Sequence, residues 1–152
     1  MMDKEERRRM KEKVVVAAVQ MDVALYDRKA NLQYIEQSVK KAKEEQNADL
    51  VVFPELASIG YIRERNKEFG CNYVKAAEKV PGEFTDGLCE IAKNYGVYLI
   101  SGMTEAHPKI AATLYNSAVL VTPKGEIAGY TERRIYRDMR NTILFLRTRT
   151  KY

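Results

Sequence analysis

Apolar and polar positions recur along this chain with two different periods, and the switches between them mark out its elements. Val14-Val15-Val16-Ala17-Ala18-Val19 is a short, uninterrupted, largely β-branched apolar run, the pattern of a strand buried on both faces. Leu32, Ile35, Val39 and Ala42 then recur at spacings of three and four with Glu, Gln and Lys between them, which predicts an amphipathic helix of about four turns. Ala48 to Phe53 reads as a second buried strand, ended by Pro54, which cannot donate to a central ladder. From Leu56 to Gly82 the signal is weaker; Tyr73, Ala76, Ala77 and Val80 predict a short helix closed by Pro81-Gly82. Thr85 is placed to cap the next helix, with Phe84 and Cys89 as its hydrophobic staple. That helix carries Leu88, Ile91, Ala92 and Tyr95 on one face and stops at Gly96. Val97–Ser101, Leu114–Val121 and Glu126–Tyr130 follow as strands, the last two joined by a Pro123-Lys124-Gly125 turn.

The order β-α-β-α-β-β-β predicts an α/β fold, a mixed β-sheet with flanking helices on at least one face. After about Tyr136 the pattern dissolves. Ile143 to Leu146 could form a short strand, and Arg147-Thr148-Arg149-Thr150 does not read like the rest. The chain thus divides into a charged extension, residues 1–13, a body, residues 14–136, and a basic irregular tail, residues 137–152. A length of 152 residues suits one domain with a core of its own.

The net charge of +5 changes this picture little once it is located. Arg133 to Tyr152 carry six Arg and one Lys against Asp138 alone, and residues 1–13 carry six basic and four acidic residues, so the body between them is mildly acidic. Basic ends of this kind are solvated tails more often than binding surfaces, and only Tyr136, Phe145 and Tyr152 are available to stack bases; no specific nucleic-acid partner is expected. The longest apolar run is far below the roughly 18 residues of a membrane span. Two cysteines, Cys71 and Cys89, make neither a disulfide framework nor a metal-type spacing, no cofactor is implied, and no secretory leader pattern precedes Val14. A reducing cytoplasm is the expected compartment.

Ligands in open α/β sheets gather beyond the carboxyl ends of the strands, and Glu55 stands there, one residue past Pro54. A carboxylate held against an apolar strand end loses solvation and becomes a better general base near neutral pH; the plainer alternative is a Glu that caps the next turn. Cys89 lies mid-helix beside Leu88 and Ala92, where core packing explains it, and Cys71 is the more exposed thiol. His107, the single histidine, precedes Pro108 in a loop and reads as a surface residue.

Val52-Phe53-Pro54-Glu55-Leu56-Ala57, followed by Gly60-Tyr61, resembles the glutamate motif of the nitrilase, or carbon–nitrogen hydrolase, superfamily. Further pieces agree in order across about Val14 to Tyr136: Ala17-Ala18-Val19-Gln20-Met21, Asn31-Leu32, the Leu88 to Gly96 helix, Tyr115-Asn116-Ser117-Ala118, and Gly125-Glu126-Ile127. The resemblance implies the first half of an αββα sandwich, homo-oligomers or self-association, and a cysteine that attacks the carbon of a small amide, nitrile or carbamoyl substrate. A glutamate base takes the thiol proton and a lysine steadies the tetrahedral intermediate. Carried over, Glu55 matches the base. The lysine position falls on Arg134, whose guanidinium can stabilise an oxyanion but does not readily give up a proton. Tyr61 and Asn116 are candidate pocket residues. No cysteine follows Cys89 and no glutamate follows Glu132, so the nucleophile and the family's further glutamate have no counterpart. The expectation is therefore a truncated family member, cut short naturally or by a frame change near residues 132–136 and inactive alone; the alternatives are a non-catalytic scaffold that pairs with a partner, or, less favoured, a basic-tail nucleic-acid binder.

Overall fold

The structure is a computed structural model that describes residues 13–61, 66–134 and 147–150, the side chains of 134 and 147–150 excepted. Six strands form one mixed sheet whose spatial order follows the chain. β1 (Val16–Ala18), β2 (Leu50–Val52) and β3 (Tyr98–Ala106) run parallel; β4 (Leu114–Val121), β5 (Ile127–Arg134) and β6 (Arg147–Thr150) continue from β3 antiparallel. Parallel neighbours need long crossovers. α1 (Arg28–Gln46) supplies the first, and α2 (Lys67–Ala76) with α3 (Glu83–Tyr95) supplies the second.

The mixed α/β sheet with flanking helices is as the sequence predicts, and the periodicities account for its core. Ile35, Val39 and Ala42 of α1 and Phe84, Leu88, Ile91 and Ala92 of α3 close over Val51, Leu99, Met103, Val119 and Val121 of the sheet. At about 1.5–3 kcal/mol for each large aliphatic or aromatic side chain removed from water, this cluster is the main source of stability. A smaller cluster, Ile59, Phe69, Tyr73 and Leu114, packs beside it.

Element ends moved where polar groups, rather than apolar period, decide them. The weak helix expected around Tyr73 to Val80 starts at Lys67 instead, because Asn66 caps it by accepting the Phe69 N–H at 2.8 Å. Thr85 is not the N-cap of α3. It sits one turn inside, where its hydroxyl accepts the Gly82 N–H at 2.8 Å and donates to the Gly82 carbonyl at 2.9 Å. Glu78 takes the orphan N–H of Phe84 at 2.7 Å, the place a capping side chain would fill, and Phe84 is buried inside the helix rather than preceding it. Gly96 ends α3 in the left-handed region at φ 62°, as expected. Arg147–Thr150, within the segment read as an irregular tail, is β6; Ile143 to Leu146 lie outside the described residues, as does the N-terminal extension apart from Lys13. Among the described residues no helix is long and apolar enough to cross a membrane.

Arg28 ties three elements together at this end of the fold. Its guanidinium donates to the Ala76 carbonyl at 2.6 Å, lies 3.6 Å from Glu78 and pairs with Glu83 at 3.2 Å. Burial pushes the Glu78 carboxyl above the ordinary carboxylate value, against the opposing pull of the Phe84 N–H and Arg28. A carboxyl with a raised folded-state pKa binds its proton more tightly when folded, so its contribution is greatest in acid and is lost as pH rises through the raised value. Relative to Glu78→Gln, the wild-type chain should therefore lose stability as pH rises from about 4, the ordinary carboxylate value, through the raised one. Urea unfolding of both proteins across that range checks it; a difference that grows in the opposite direction contradicts the assignment.

The other sheet face is open among the described residues. Val16, Leu50 and Tyr98 share one register row, and Ala18, Val52, Ile100, Leu120 and Gly129 share the next. Val16 is 54% and Tyr98 47% exposed.

Candidate active site

Phe53 still pairs with β3, its N–H donating to the Ile100 carbonyl at 2.8 Å, before Pro54 breaks the ladder and the chain turns across β3. The crossing is close. A Cβ on Gly102 would lie 2.6 Å from the Glu55 Cα and 2.8 Å from both the Leu56 nitrogen and the Pro54 oxygen, so only glycine fits at that point of β3. Leu56 holds the left-handed region at φ 55° with its side chain buried, a conformation unfavourable for leucine that the surrounding packing enforces.

The turn is pinned from behind. Asn31, 1% exposed at the start of α1, donates to the Ala24 carbonyl at 2.8 Å and the Ser58 carbonyl at 3.0 Å and accepts the Ala24 N–H at 2.8 Å. The Ser58 hydroxyl accepts the Thr104 N–H at 3.0 Å, and the Tyr73 hydroxyl joins the Gly60 carbonyl at 2.8 Å to the Thr104 hydroxyl at 2.9 Å.

So held, Glu55 meets three donors. Asn116 Nδ2 and Arg133 Nη2, the latter at 2.7 Å, both reach Oε1, and the Tyr61 hydroxyl donates to Oε2 at 3.2 Å. Burial, and then the charge and hydrogen bond of Glu55, push the Tyr61 hydroxyl above its ordinary value, which keeps it a donor throughout the physiological range. The carboxylate borders an open cleft of about 340 Å³ on the uncovered sheet face, lined with Phe53, Ile100, Gly102, Ala118, Thr131 and Arg133. Loss of solvation, the reason given for expecting a base here, is not what the site shows. The Glu55 side chain is 43% exposed and its ion-pair partner Arg133 is 42% exposed. A carboxylate open on one side and pinned on the other can accept a proton from a group entering the cleft.

Of the residues singled out beforehand, Glu55, Tyr61 and Asn116 come together. Arg134 has its backbone opposite Tyr115, but its side chain lies outside the described residues; the guanidinium on Glu55 belongs to Arg133. The sequence reading passed over Arg133. A bulge sets this pairing: the β4–β5 register shifts between Leu120 and Val121, which leaves Ala128 unpaired and brings Arg133 opposite Asn116. Without that extra residue Glu132 would stand there, carboxylate against carboxylate. Neither cysteine lines the cleft. Cys71 is exposed on α2, and Cys89 is half-buried on α3, where burial, with Asp86 nearby, pushes its thiol up and away from the thiolate. His107 Nδ1 accepts the Lys109 and Ile110 N–H groups at 3.0 and 2.9 Å and so organises its own loop.

The α/β sheet described above is shared with solved nitrilase-superfamily proteins. A Saccharomyces cerevisiae member of branch 10 of that superfamily superposes with a TM-score of 0.66 at 22% identity, over 79% of this chain and 44% of that one. An amidase from Nesterenkonia sp. AN1, solved in complex with acrylamide, gives 0.58 at 20% identity over 79% and 42%. These set the fold. The family model for carbon-nitrogen hydrolases matches residues 15–145, and this chain belongs to that family. A nitrilase from Pyrococcus abyssi is 38% identical over 133 residues, 87% of this chain and 47% of the relative. An omega-amidase from Danio rerio is 34% identical over 101 residues, 66% of this chain and 32% of its own length. The chain spans less than half the length of these relatives.

Proposed function

We propose that this chain carries the base half of a carbon–nitrogen hydrolase site for a small amide, nitrile or carbamoyl compound, and that the nucleophile must come from residues other than its own two cysteines. The observation that supports this reading is the Glu55 carboxylate, fixed by Asn116, Arg133 and Tyr61 at the mouth of the cleft. For an amide, Glu55 takes the proton of a thiol, the sulfur bonds to the carbonyl carbon, and the same proton passes to the leaving nitrogen as ammonia departs. Water then cleaves the thioester. Arg133, with a guanidinium that stays charged, supplies electrostatics and no proton.

Two preparations test this. The 152-residue chain alone should release no ammonia above background from a panel of amides, N-carbamoyl compounds and nitriles. Residues 1–134 fused to the part of the Pyrococcus abyssi nitrilase beyond the matched region should release it, and Glu55→Gln in the fusion should lower the rate about 100-fold. Turnover by the chain alone, or a fusion indifferent to Glu55→Gln, contradicts the reading.

The chain should also self-associate. The open face presents Val16, Leu50, Tyr98, Ile100 and Leu120 together, a continuous apolar surface of the kind that soluble monomers seldom leave uncovered. Sedimentation equilibrium should give a dimer or larger species that binds ANS. A monodisperse monomer without ANS binding would mean that the face is covered from within the chain.

A further inference from the structure

Glu55 has two oxygens in unlike surroundings, and the difference is built into the sheet. Oε1 receives Asn116 Nδ2 from β4 and Arg133 Nη2 from β5, at 2.7 Å for the latter. Asn116 and Arg133 are direct register partners across those strands, so the two donors are fixed relative to each other by the backbone ladder before Glu55 arrives. Oε2 receives Tyr61 alone among the described residues, at 3.2 Å and from a residue 47% exposed. A carboxylate oxygen has about two lone-pair sites, so Oε1 is filled and, among the described residues, Oε2 keeps one free. One of the Oε1 donors also carries a full positive charge, with an attraction for the carboxylate that Asn116 and Tyr61 lack, which deepens the asymmetry.

We propose that Asn116 and Arg133 act as one positioning unit that closes Oε1 of Glu55 and leaves Oε2 as the oxygen that accepts the proton. The proposal rests on the reading of Glu55 as the base. It gives the Ala128 bulge a function: the extra residue brings a cation, rather than Glu132, into register with Asn116. It also separates the roles of the three donors. Asn116 and Arg133 orient Glu55 without touching the reacting atoms, while Tyr61 shares Oε2 with the incoming proton and has to yield or stay as that proton arrives.

The infrared stretches of the carboxylate test this without any turnover, so the outcome is independent of whether the chain or its fusion is active. Hydrogen bonds concentrated on one oxygen make the two C–O bonds unequal and widen the gap between the antisymmetric and symmetric stretches. The full chain labelled with 13C at the glutamate carboxyl, minus the same spectrum of Glu55→Gln, isolates the Glu55 pair of bands. Asn116→Ala and Arg133→Gln should each narrow the gap, because each unloads Oε1. Tyr61→Phe should widen it, because it unloads Oε2. Arg133→Lys, which keeps one charged donor, should hold the gap near wild type. Circular dichroism melts identify any variant that fails to fold, and Asn116→Ser then replaces Asn116→Ala. Opposite signs for the two sets of variants are beyond a general loosening of the site. Shifts of one sign for all three donors, or no shift for Asn116 and Arg133, overturn the proposal.

Discussion

Gly102→Ala should cost about 3 kcal/mol of unfolding free energy or more and displace Glu55 from its donors. The added methyl would stand within 2.8 Å of three backbone atoms of Pro54, Glu55 and Leu56, none of which can swing aside as a flexible side chain would. Overpacking a well-packed site typically costs 1–3 kcal/mol, and backbone opposition places this case at or above the top of that range. The turn has little slack, since Leu56 already occupies an unfavourable conformation and the Gly102 N–H donates to the Pro54 oxygen at 3.2 Å. Gly70→Ala is the matched control: it lies inside α2 with nothing within 4 Å of the new methyl, so it should stabilise by about 0.5–1 kcal/mol through helix propensity. Urea unfolding of the two variants decides the matter. A Gly102→Ala protein within about 0.5 kcal/mol of wild type would mean that the crossing is looser than described.

Asn31→Ala should have an effect of similar size, about 3 kcal/mol, by the opposite route of removal. Its side chain satisfies the Ala24 N–H, the Ala24 carbonyl and the buried Ser58 carbonyl; an alanine leaves the Ala24 N–H and the Ser58 carbonyl without that partner, and the Ala24 carbonyl with the Asp27 N–H at 3.4 Å in its place. Each unsatisfied buried group costs about 1–3 kcal/mol, moderated here because the Ala24 backbone can recover some water. Asn31→Asp should be no milder, since a carboxylate would face two carbonyl oxygens. Hydrogen exchange offers a local check: the Ala24 amide should lose most of its protection in Asn31→Ala while Val51 and Leu99 in the sheet keep theirs. Equal loss everywhere would show that Asn31 supports the whole fold rather than the seat of the Glu55 turn.

Much of this architecture was legible in the sequence, for reasons that differ by element. The apolar faces of α1 and α3 announce themselves through period, because burying Ile35, Val39, Leu88 and Ile91 is what forms them, whereas β1, expected to be buried on both faces, has Val16 54% exposed on the open face. Glu55 was visible because the residues around it match a known motif; its place past a proline-terminated apolar strand suits a turn-capping Glu equally well. Thr85 was misplaced because Glu78, five residues before α3 begins, performs the capping that a local reading assigns to the nearest hydroxyl. Arg133 went unassigned because the family motif points to its neighbour Arg134; that it meets Asn116 depends on the Ala128 bulge, which no alternation of polar and apolar residues reveals. Gly102 and Asn31 had the same concealment: one is needed for what is absent from its side chain, the other for three bonds to backbone in two separate loops.

The sheet order, identical to the order of strands in the chain, has a consequence for how the protein comes into being on the ribosome. Every strand finds its neighbour already made, so pairing can advance from the N-terminus without waiting for a distant segment, the arrangement that keeps folding delays short. The proposed base is the exception. Glu55 emerges 61 residues ahead of Asn116 and 78 ahead of Arg133. At ordinary synthesis rates of about 5–20 residues per second, the carboxylate spends roughly 3 to 16 seconds without its donors. The donor set of the cleft is thus complete only once β5 is made, and a pause in translation between residues 116 and 133 would prolong a half-assembled state in which β1 to β3 are paired while the carboxylate still lacks Arg133.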